Sequence, residues 1–406
     1  MKNCLVAQSG GPTVAINATI AGLLSGNNKY KAFDKIYGAL HGIEGVMREH
    51  FIEFSDERHS DEFINVLKIT PAMYLGSCRY KLPKENADSL YEQIFNTFDK
   101  YDIDTFFYIG GNDSMDTAAK LSAYAEDKGS DVKIIGLPKT IDNDLVITDH
   151  TPGFGSAAKF VASAMTEIYY DSSIYPIKSI TVVEIMGRDS GFLTASSILS
   201  KNSCIEGPDL VYVPERAFSM EDCIRRTKNL LKSKDSVILA VSEGIRDSQG
   251  NYISAEGNTV DEFGHIQLMG VGKILENKLK SEIGIKVRSI ELNVLQRCSA
   301  HISSKTDIDE SFMLGENGIE AATDDISGMM LSLERKSDSP YKVECALADV
   351  SEVANQVKAL PDEFINKNAP YIENAFFDYA EPLIMGENQT VFKNGVPQYA
   401  DISHLN

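Results

Sequence analysis

Length, the alternation of apolar strand-like runs with helical patterns, and glycine-bearing turns set directly after strands together point to an α/β protein. It should have two lobes, each a mostly parallel sheet flanked by helices. At 406 residues the chain exceeds the ~250–300 residues at which one core usually stops growing. Its 43% apolar share with 9% aromatics suits a globular interior.

The first lobe comes first in the chain. Asn3 to Gln8 is a strand, Ser9-Gly10-Gly11-Pro12 a turn, and Ile16, Ile20, Leu23 and Leu24 form one helical face. Strands follow at Lys35 to Leu40, Asp104 to Ile109 and Val132 to Gly136, with a long polar insertion between the first two, from about Ile43 to Asp99. Gly110-Gly111-Asn112-Asp113-Ser114 opens a helix whose apolar side carries Met115, Ala118, Ala119, Ser122 and Ala125. Thr151-Pro152 reads as cap and first-turn proline of a helix with Phe154, Ala158, Val161, Met165 and Ile168 on its buried face. In the second lobe, strands at Ser179 to Met186, Leu210 to Val213, Ser236 to Val241 and Lys286 to Leu292 alternate with helices. Those helices are expected at about Asp189 to Ser200, Met220 to Lys232 and Glu262 to Ile283. In the tail, Val343 to Val350 reads as strand and Ser351 to Lys358 as helix.

Charge narrows the function. Lys and Arg number 39 against 59 Asp and Glu, a formal charge of -20, which disfavours nucleic acid and anionic membranes as partners. The six cysteines show no Cys-x-x-Cys spacing, so reduced and mostly buried thiols are expected rather than a disulfide frame or a zinc site. No uninterrupted apolar run approaches the ~18 residues of a bilayer span, and the cytoplasm is the expected location.

The chemistry concentrates in Pro138-Lys139-Thr140-Ile141-Asp142-Asn143-Asp144-Leu145, directly after an apolar strand. Asp142 could accept a proton from an attacking hydroxyl, Thr140 could bond a phosphoryl oxygen, and Lys139 could neutralise the group in flight. A surface turn built from Pro, Asp and Asn would explain the composition equally well if the loop stood alone. The turns at Gly10-Gly11 and Gly110-Gly111 weigh against that. A strand, then glycines, then a helix start lets backbone N–H groups approach phosphate oxygens.

The order and spacing of Gly10-Gly11, Gly110 to Ser114, Thr140 to Asp144, Met186-Gly187-Arg188, Glu243-Gly244 and Gln296-Arg297 resemble the 6-phosphofructokinase family, which has ATP-dependent and pyrophosphate-dependent members. The resemblance implies two Rossmann-like lobes. Residues 1–150 plus about 297–360 would bind the donor, and about 151–296 plus the C-terminal part of 361–406 the sugar phosphate. It implies Asp142 as general base, with Lys139, Asp113 and Arg188 completing the catalytic set. Gly10, Gly11, Arg79 and Ser114 would hold the diphosphate. Thr140, Ile141, Asp142, Met186, Gly187, Arg188, Glu243, Arg288 and Arg297 would meet the substrate. Mg²⁺ is expected as cofactor, near Asn112 and, through a water, Asp144.

In ATP-using relatives glycine usually stands at the positions of Asp113 and Lys139, so the resemblance implies pyrophosphate as donor and fructose 6-phosphate as acceptor. A carboxylate at 113 about 4 Å from an α-phosphate would repel it by roughly 4 kcal/mol at an effective dielectric near 20. A bare Asp113 to Lys139 ion pair is the structural alternative. Other readings are an ATP-dependent enzyme, a sugar-phosphate sensor without turnover, or, against the Thr140 to Asp144 string, an NAD or lipid kinase. The resemblance also implies at least a homodimer. Three positions depart from the usual family pattern: Asn112 replaces an aspartate, Val294 a histidine, and Ser179 an arginine lent by a neighbouring subunit, where Lys178 is the candidate substitute. His265 and His301 are read as structural.

Overall fold

The computed structural model describes residues 2–55, 58, 60–84, 88–260, 266–268 and 270–405, and it divides into two compact units. The first comprises Met1–Ser156, Arg297–Val357 and Met385–Asn406, and the second Ala157–Gln296 and Lys358–Ile384. His265 lies outside the described residues, as does the expected helix start at Glu262.

Among the described residues, thirteen strands precede the short C-terminal pair Phe392–Lys393 and Val396–Pro397. They are β1 (Asn3–Gln8), β2 (Ile36–Ala39), β3 (Phe51–Glu53), β4 (Ile103–Gly110), β5 (Lys133–Pro138), β6 (Ser179–Ile185), β7 (Leu210–Tyr212), β8 (Ser236–Ser242), β9 (Ala255–Val260), β10 (Ile266–Leu268), β11 (Lys286–Glu291), β12 (Met329–Asp338) and β13 (Tyr341–Asp349). The first unit is built on a seven-stranded sheet in the order β13-β12-β5-β4-β1-β2-β3. Its central five strands run parallel, and β3 and β13 pair antiparallel at the edges.

Both faces of this sheet are covered, so its strands are nearly continuous apolar runs whose side chains alternate between two cores. Cys4, Val6, Phe107, Ile109, Ile135 and Leu137 pack with Ile16, Ile20, Leu23, Leu314 and Ile319. Leu5, Ala7, Phe106, Tyr108 and Ile134 pack with Ile94, Phe95, Phe98, Met115 and Leu121. On the first face, helices Ile16–Tyr30 and Lys305–Thr323 touch backbone to backbone. A Cβ on Gly22 would lie 2.0 Å from Phe312 O, and one on Gly315 would lie 2.1 Å from Thr19 O.

The second unit holds a fully parallel sheet in the order β11-β6-β8-β7. Ile180, Val182, Val237, Leu239 and Val241 pack against Cys223, Leu275 and Leu279 of the helices Met220–Leu230 and Val271–Ile283. No helix among the described residues is long and apolar enough to cross a membrane. All six cysteines are free, with Cys4, Cys78 and Cys223 buried and Cys204 exposed.

Three expectations need correction. Helix Phe154–Ser173 starts after Thr151-Pro152, because Gly153 bridges to Thr140 and the buried Asp307 carboxylate caps the helix, accepting from Gly153 N at 2.8 Å and Ser156 N at 3.0 Å. The helix expected at Ser351 to Lys358 is a single turn, Val350–Val353, ended by Asn355 in the left-handed region at φ 62. Asp189 to Ser200 is a short α-turn at Phe192–Ala195 continued as a 3-10 helix over Ser196–Ser200.

Candidate active site

In the first unit, β1, β4 and β5 end side by side, and their following turns form one cradle. Gly10 holds φ +82, a conformation that favours glycine. Lys139, at the end of β5, reaches across this turn and donates from Nζ to Gly11 O at 2.6 Å. A Cβ on Gly10 would sit 3.1 Å from that ammonium. Lys139 is only 2% exposed. Burial pushes its pKa down to about 8, a fall that the charges of Asp144 and Asp142 oppose and that of Arg297 reinforces.

The cradle's other wall is the start of helix Asn112–Lys128. Gly110 is required there, since a Cβ would meet Ser114 Oγ at 1.9 Å, and Lys139 N donates to Gly110 O at 2.9 Å. Gly111 precedes the helix in extended conformation and supplies no side-chain cap. Ser77 Oγ donates to Gly10 O at 2.8 Å, and Ser9 Oγ donates to Cys78 O at 3.2 Å, so the exposed Arg79 follows a segment fastened to the same turn. Arg297 joins from a distant part of the chain, with Nη1 3.4 Å from where a Gly11 Cβ would stand. Its Nε is buried and finds no hydrogen-bond partner among the described residues.

The lysine–aspartate loop is held by its own backbone. Thr140 N donates to Pro152 O at 3.1 Å, and the Thr140 hydroxyl accepts from Asp142 N at 3.1 Å. Ile141, Asn143 and Leu145 are buried, which leaves Asp142 and Asp144 half-buried between them. Ile141 is therefore a packing side chain, and only its backbone can meet a ligand. Asn143 adopts φ 57, and its Oδ1 accepts from Thr151 N at 2.9 Å, fixing the residue between the two carboxylates.

Two expected partners are elsewhere. Asp113 does not pair with Lys139. Its half-exposed carboxylate faces Lys81 at 2.9 Å. Asn112 is not turned toward a metal: its Oδ1 accepts from Asn355 N at 2.6 Å and its Nδ2 donates to Gln356 O. Among the described residues no group of three or more His, Cys, Asp or Glu could hold a metal ion. Lys81, two residues after Arg79, lies in none of the motifs read from the sequence. Asn355 and Gln356 carry no local signal.

The second unit gathers a separate group at the carboxyl ends of β6 and β8. Met186 N donates to Gln296 Oε1 at 3.3 Å, and Gly187 N to Glu243 Oε1 at 3.4 Å. Gly244 has no room for a side chain, because a Cβ would stand 1.8 Å from Arg188 O. Arg188 Nε is buried with no hydrogen-bond partner among the described residues. Behind this turn, half-buried Glu215 accepts from Gly191 N at 2.7 Å and Leu360 N at 2.8 Å.

Arg288 is not part of this group within one chain. It pairs in register with Thr181, five residues before Met186, or about 16 Å along a strand. Its guanidinium bonds Asp171, Thr181 Oγ1 at 3.1 Å and Ser172 Oγ at 3.0 Å. Lys178 is exposed and donates to Leu231 O. His301 is exposed, so it is not a core histidine.

An anion cradle with a buried lysine, beside a loop presenting two carboxylates, is the equipment of a phosphoryl-transfer protein. The family described as Phosphofructokinase matches residues 3–311. The pyrophosphate–fructose 6-phosphate 1-phosphotransferase of Halomonas elongata is 38% identical over 405 residues, covering 99% of this chain and 96% of that protein. The protein of the same name from Methylococcus capsulatus is 37% identical over 408 residues, covering 100% and 96%. The crystal structure of a pyrophosphate-dependent phosphofructokinase from Nitrosospira multiformis superposes with a TM-score of 0.88 at 33% identity, covering 98% of this chain and 96% of that one. The chain belongs to the phosphofructokinase family.

Proposed function

We propose that this protein transfers the terminal phosphoryl group of pyrophosphate to the 1-hydroxyl of fructose 6-phosphate. The products are fructose 1,6-bisphosphate and phosphate, in a reversible, cytoplasmic step of glycolysis. The observation that carries the donor half is Lys139, a buried ammonium laid across the Gly10-Gly11 turn. It fills space beside the phosphate cradle and supplies charge suited to a compact inorganic anion. The names of the full-length relatives support the same donor and acceptor.

In this reading Asp142 takes the proton of the 1-hydroxyl as that oxygen attacks phosphorus, and the bond to the leaving phosphate breaks with Lys139 neutralising the charge released. Gly10, Gly11, Arg79 and Ser114 hold the pyrophosphate, and Thr140 bonds its transferring end. Met186, Gly187, Arg188 and Glu243 take the sugar phosphate, with the planar fork of Arg188 spanning the reacting oxygens. Arg297 was expected to meet the substrate. Its place beside Gly11 and Lys139 gives its charge to the donor cradle.

The carboxylates suit Mg²⁺, which is commonly held through one or two carboxylates, waters and substrate phosphates. Asp144 would hold it through a water, while Asn112 is committed to Asn355 and Gln356. When bound, the ion would neutralise donor oxygens. Because Arg288 lies far along its strand from Met186, it would serve the acceptor site of a second copy of the chain, the homodimer or larger assembly that the resemblance implies.

The test is a panel of donors, pyrophosphate and ATP, against fructose 6-phosphate and sedoheptulose 7-phosphate, with and without Mg²⁺. Turnover with pyrophosphate, fructose 6-phosphate and Mg²⁺ is expected. Equal use of ATP would refute the donor assignment, and fructose 6-phosphate binding without any turnover would leave a sensor.

A further inference from the structure

The loop that carries Asp142 and Asp144 ends in a buried charged cluster that the chemistry above does not use. His150 is 1% exposed. Its Nδ1 lies 2.7 Å from Asp149 Oδ2 and its Nε2 lies 2.6 Å from Glu310 Oε2. Ionised carboxylates only accept hydrogen bonds, so both ring nitrogens must carry hydrogen and the geometry calls for an imidazolium. Asp149 Oδ2 also receives Arg335 Nε at 3.1 Å and Nη2 at 3.0 Å, and Glu310 Oε1 receives the Tyr341 hydroxyl at 2.7 Å. Two cations, His150 and Arg335, thus face the two buried carboxylates of Asp149 and Glu310, and these four groups balance only while His150 is charged. The other ionisable groups beside it are Asp307, which feels the Glu310 charge, and the exposed Asp338, whose Oδ1 accepts from Arg335 Nη1 at 3.2 Å.

This cluster is fastened to the catalytic loop through backbone. Asp149 N donates to Leu333 O at 2.8 Å, Leu333 N to Thr148 Oγ1 at 3.0 Å, and Thr148 Oγ1 to His150 O at 2.8 Å. Thr151 N, next to His150, donates to Asn143 Oδ1 at 2.9 Å, between Asp142 and Asp144. Every one of these partners belongs to the first unit.

We propose that His150 is a positioning residue which, as an imidazolium, clasps the loop bearing Asp142 to Glu310 of helix Lys305–Thr323 and, through Asp149, to Arg335 of β12. The inference rests on the reading of Asp142 as general base. Burial by itself would lower the pKa of His150, but the Glu310 charge and the hydrogen bonds to Asp149 and Glu310 outweigh it and push it up to about 9. Above that pH one ring nitrogen faces a carboxylate lone pair to lone pair, and the clasp opens.

The test compares kcat and KM between pH 6 and 10 for the wild type, His150→Gln and Glu310→Gln, with ¹⁵N-histidine spectra of the wild type. At saturating pyrophosphate, whose charge holds the Lys139 proton in place, wild-type kcat should fall with an apparent pKa near 9, while the titration of Lys139 near 8 in the free enzyme shows in KM for pyrophosphate. His150→Gln should lower kcat about tenfold at pH 7, a loss in line with a sub-ångström misplacement of a catalytic group. Glu310→Gln lets a neutral imidazole donate to Asp149 and accept from the new amide. That variant should keep its pH 7 kcat within about threefold and lose the alkaline limb. The spectra should show a doubly protonated ring at pH 7.5, a readout that does not depend on either variant folding. A neutral ring at that pH, full kcat in His150→Gln, or an unchanged alkaline limb in Glu310→Gln would overturn the proposal. Absence of turnover in the wild type would instead sink the functional reading while leaving the ring titration to be judged by itself.

Discussion

Replacing Lys139 by methionine should make the protein more stable and nearly inactive. A lysine brought from its ordinary 10.5 down to about 8 by burial carries a penalty of about 3 kcal/mol in its charged form. Methionine removes that penalty but also the hydrogen bond to Gly11 O, which returns about 1 kcal/mol, so the net gain at pH 7 is about 2 kcal/mol. The pH dependence has a definite sign. Below pH 8 both folded and unfolded chains hold the proton, and the folded state bears the desolvation. Between about 8 and 10.5 the unfolded chain binds more protons, so wild-type stability rises with pH relative to the variant, and the gap closes. Against the donor, an ammonium about 4 Å from a phosphoryl charge at an effective dielectric near 20 contributes about 4 kcal/mol, close to a thousandfold in kcat/KM. Urea denaturation at pH 7 and pH 10.5, with initial rates on pyrophosphate, measures both effects. A variant less stable than wild type at pH 7, or one keeping kcat/KM within tenfold, would refute the account of Lys139 as a desolvated charge held ready for an anion.

Two further substitutions probe the other parts. Asp142→Asn should lower kcat by about 10²-fold or more with pyrophosphate binding unchanged, as measured by steady-state kinetics and calorimetric titration. Gly244→Ala places a Cβ 1.8 Å from Arg188 O, so the Arg188 turn must move. It should raise KM for fructose 6-phosphate and reduce stability by about 1–3 kcal/mol, read by kinetics and thermal melting.

The parts of the fold legible in the sequence are those where local and tertiary demands agree. β1, β4 and β5 are buried on both faces, so they read as nearly continuous apolar runs, with glycine ending β4 and proline ending β5. β12 escaped notice because only Met329 and Met330 pair with β5, while its outer half runs Glu334-Arg335-Lys336 in alternation along a ribbon with β13. The helix read at Ser351 to Lys358 fails for a tertiary reason. Asn355 turns out of it at φ 62 to give its backbone N–H to Asn112 and its side chain to Asp116 at 2.9 Å. The same contact explains a departure that the sequence left open. An amide at position 112 can accept from Asn355 N and donate to Gln356 O at once, whereas a carboxylate could only accept. In the site, Lys139 meets Gly11 and Gly187 meets Glu243 across distant motifs, whereas Asp113 meets Lys81 and not Lys139.

Donor choice is the clearest case. The repulsion of roughly 4 kcal/mol assigned to Asp113 presumed a screened but partly buried carboxylate. The side chain is 59% exposed and sits 2.9 Å from the Lys81 ammonium. In a dielectric close to that of water the same 4 Å repulsion falls to about 1 kcal/mol, about fivefold in affinity, and Lys81 offsets part of that. Discrimination on the scale of a thousandfold must then come from the group that water does not screen. Lys139 is buried, crosses the glycine turn, and fills volume beside the cradle that a glycine at this position would leave empty. A nucleotide would have to displace a side chain whose room was made by Gly10 and whose charge is held by Asp142 and Asp144. An inorganic diphosphate would meet the same side chain as its counter-ion. On the proposed reading, steric exclusion and electrostatic capture would therefore reside in one residue, with the exposed carboxylate at 113 adding a smaller share.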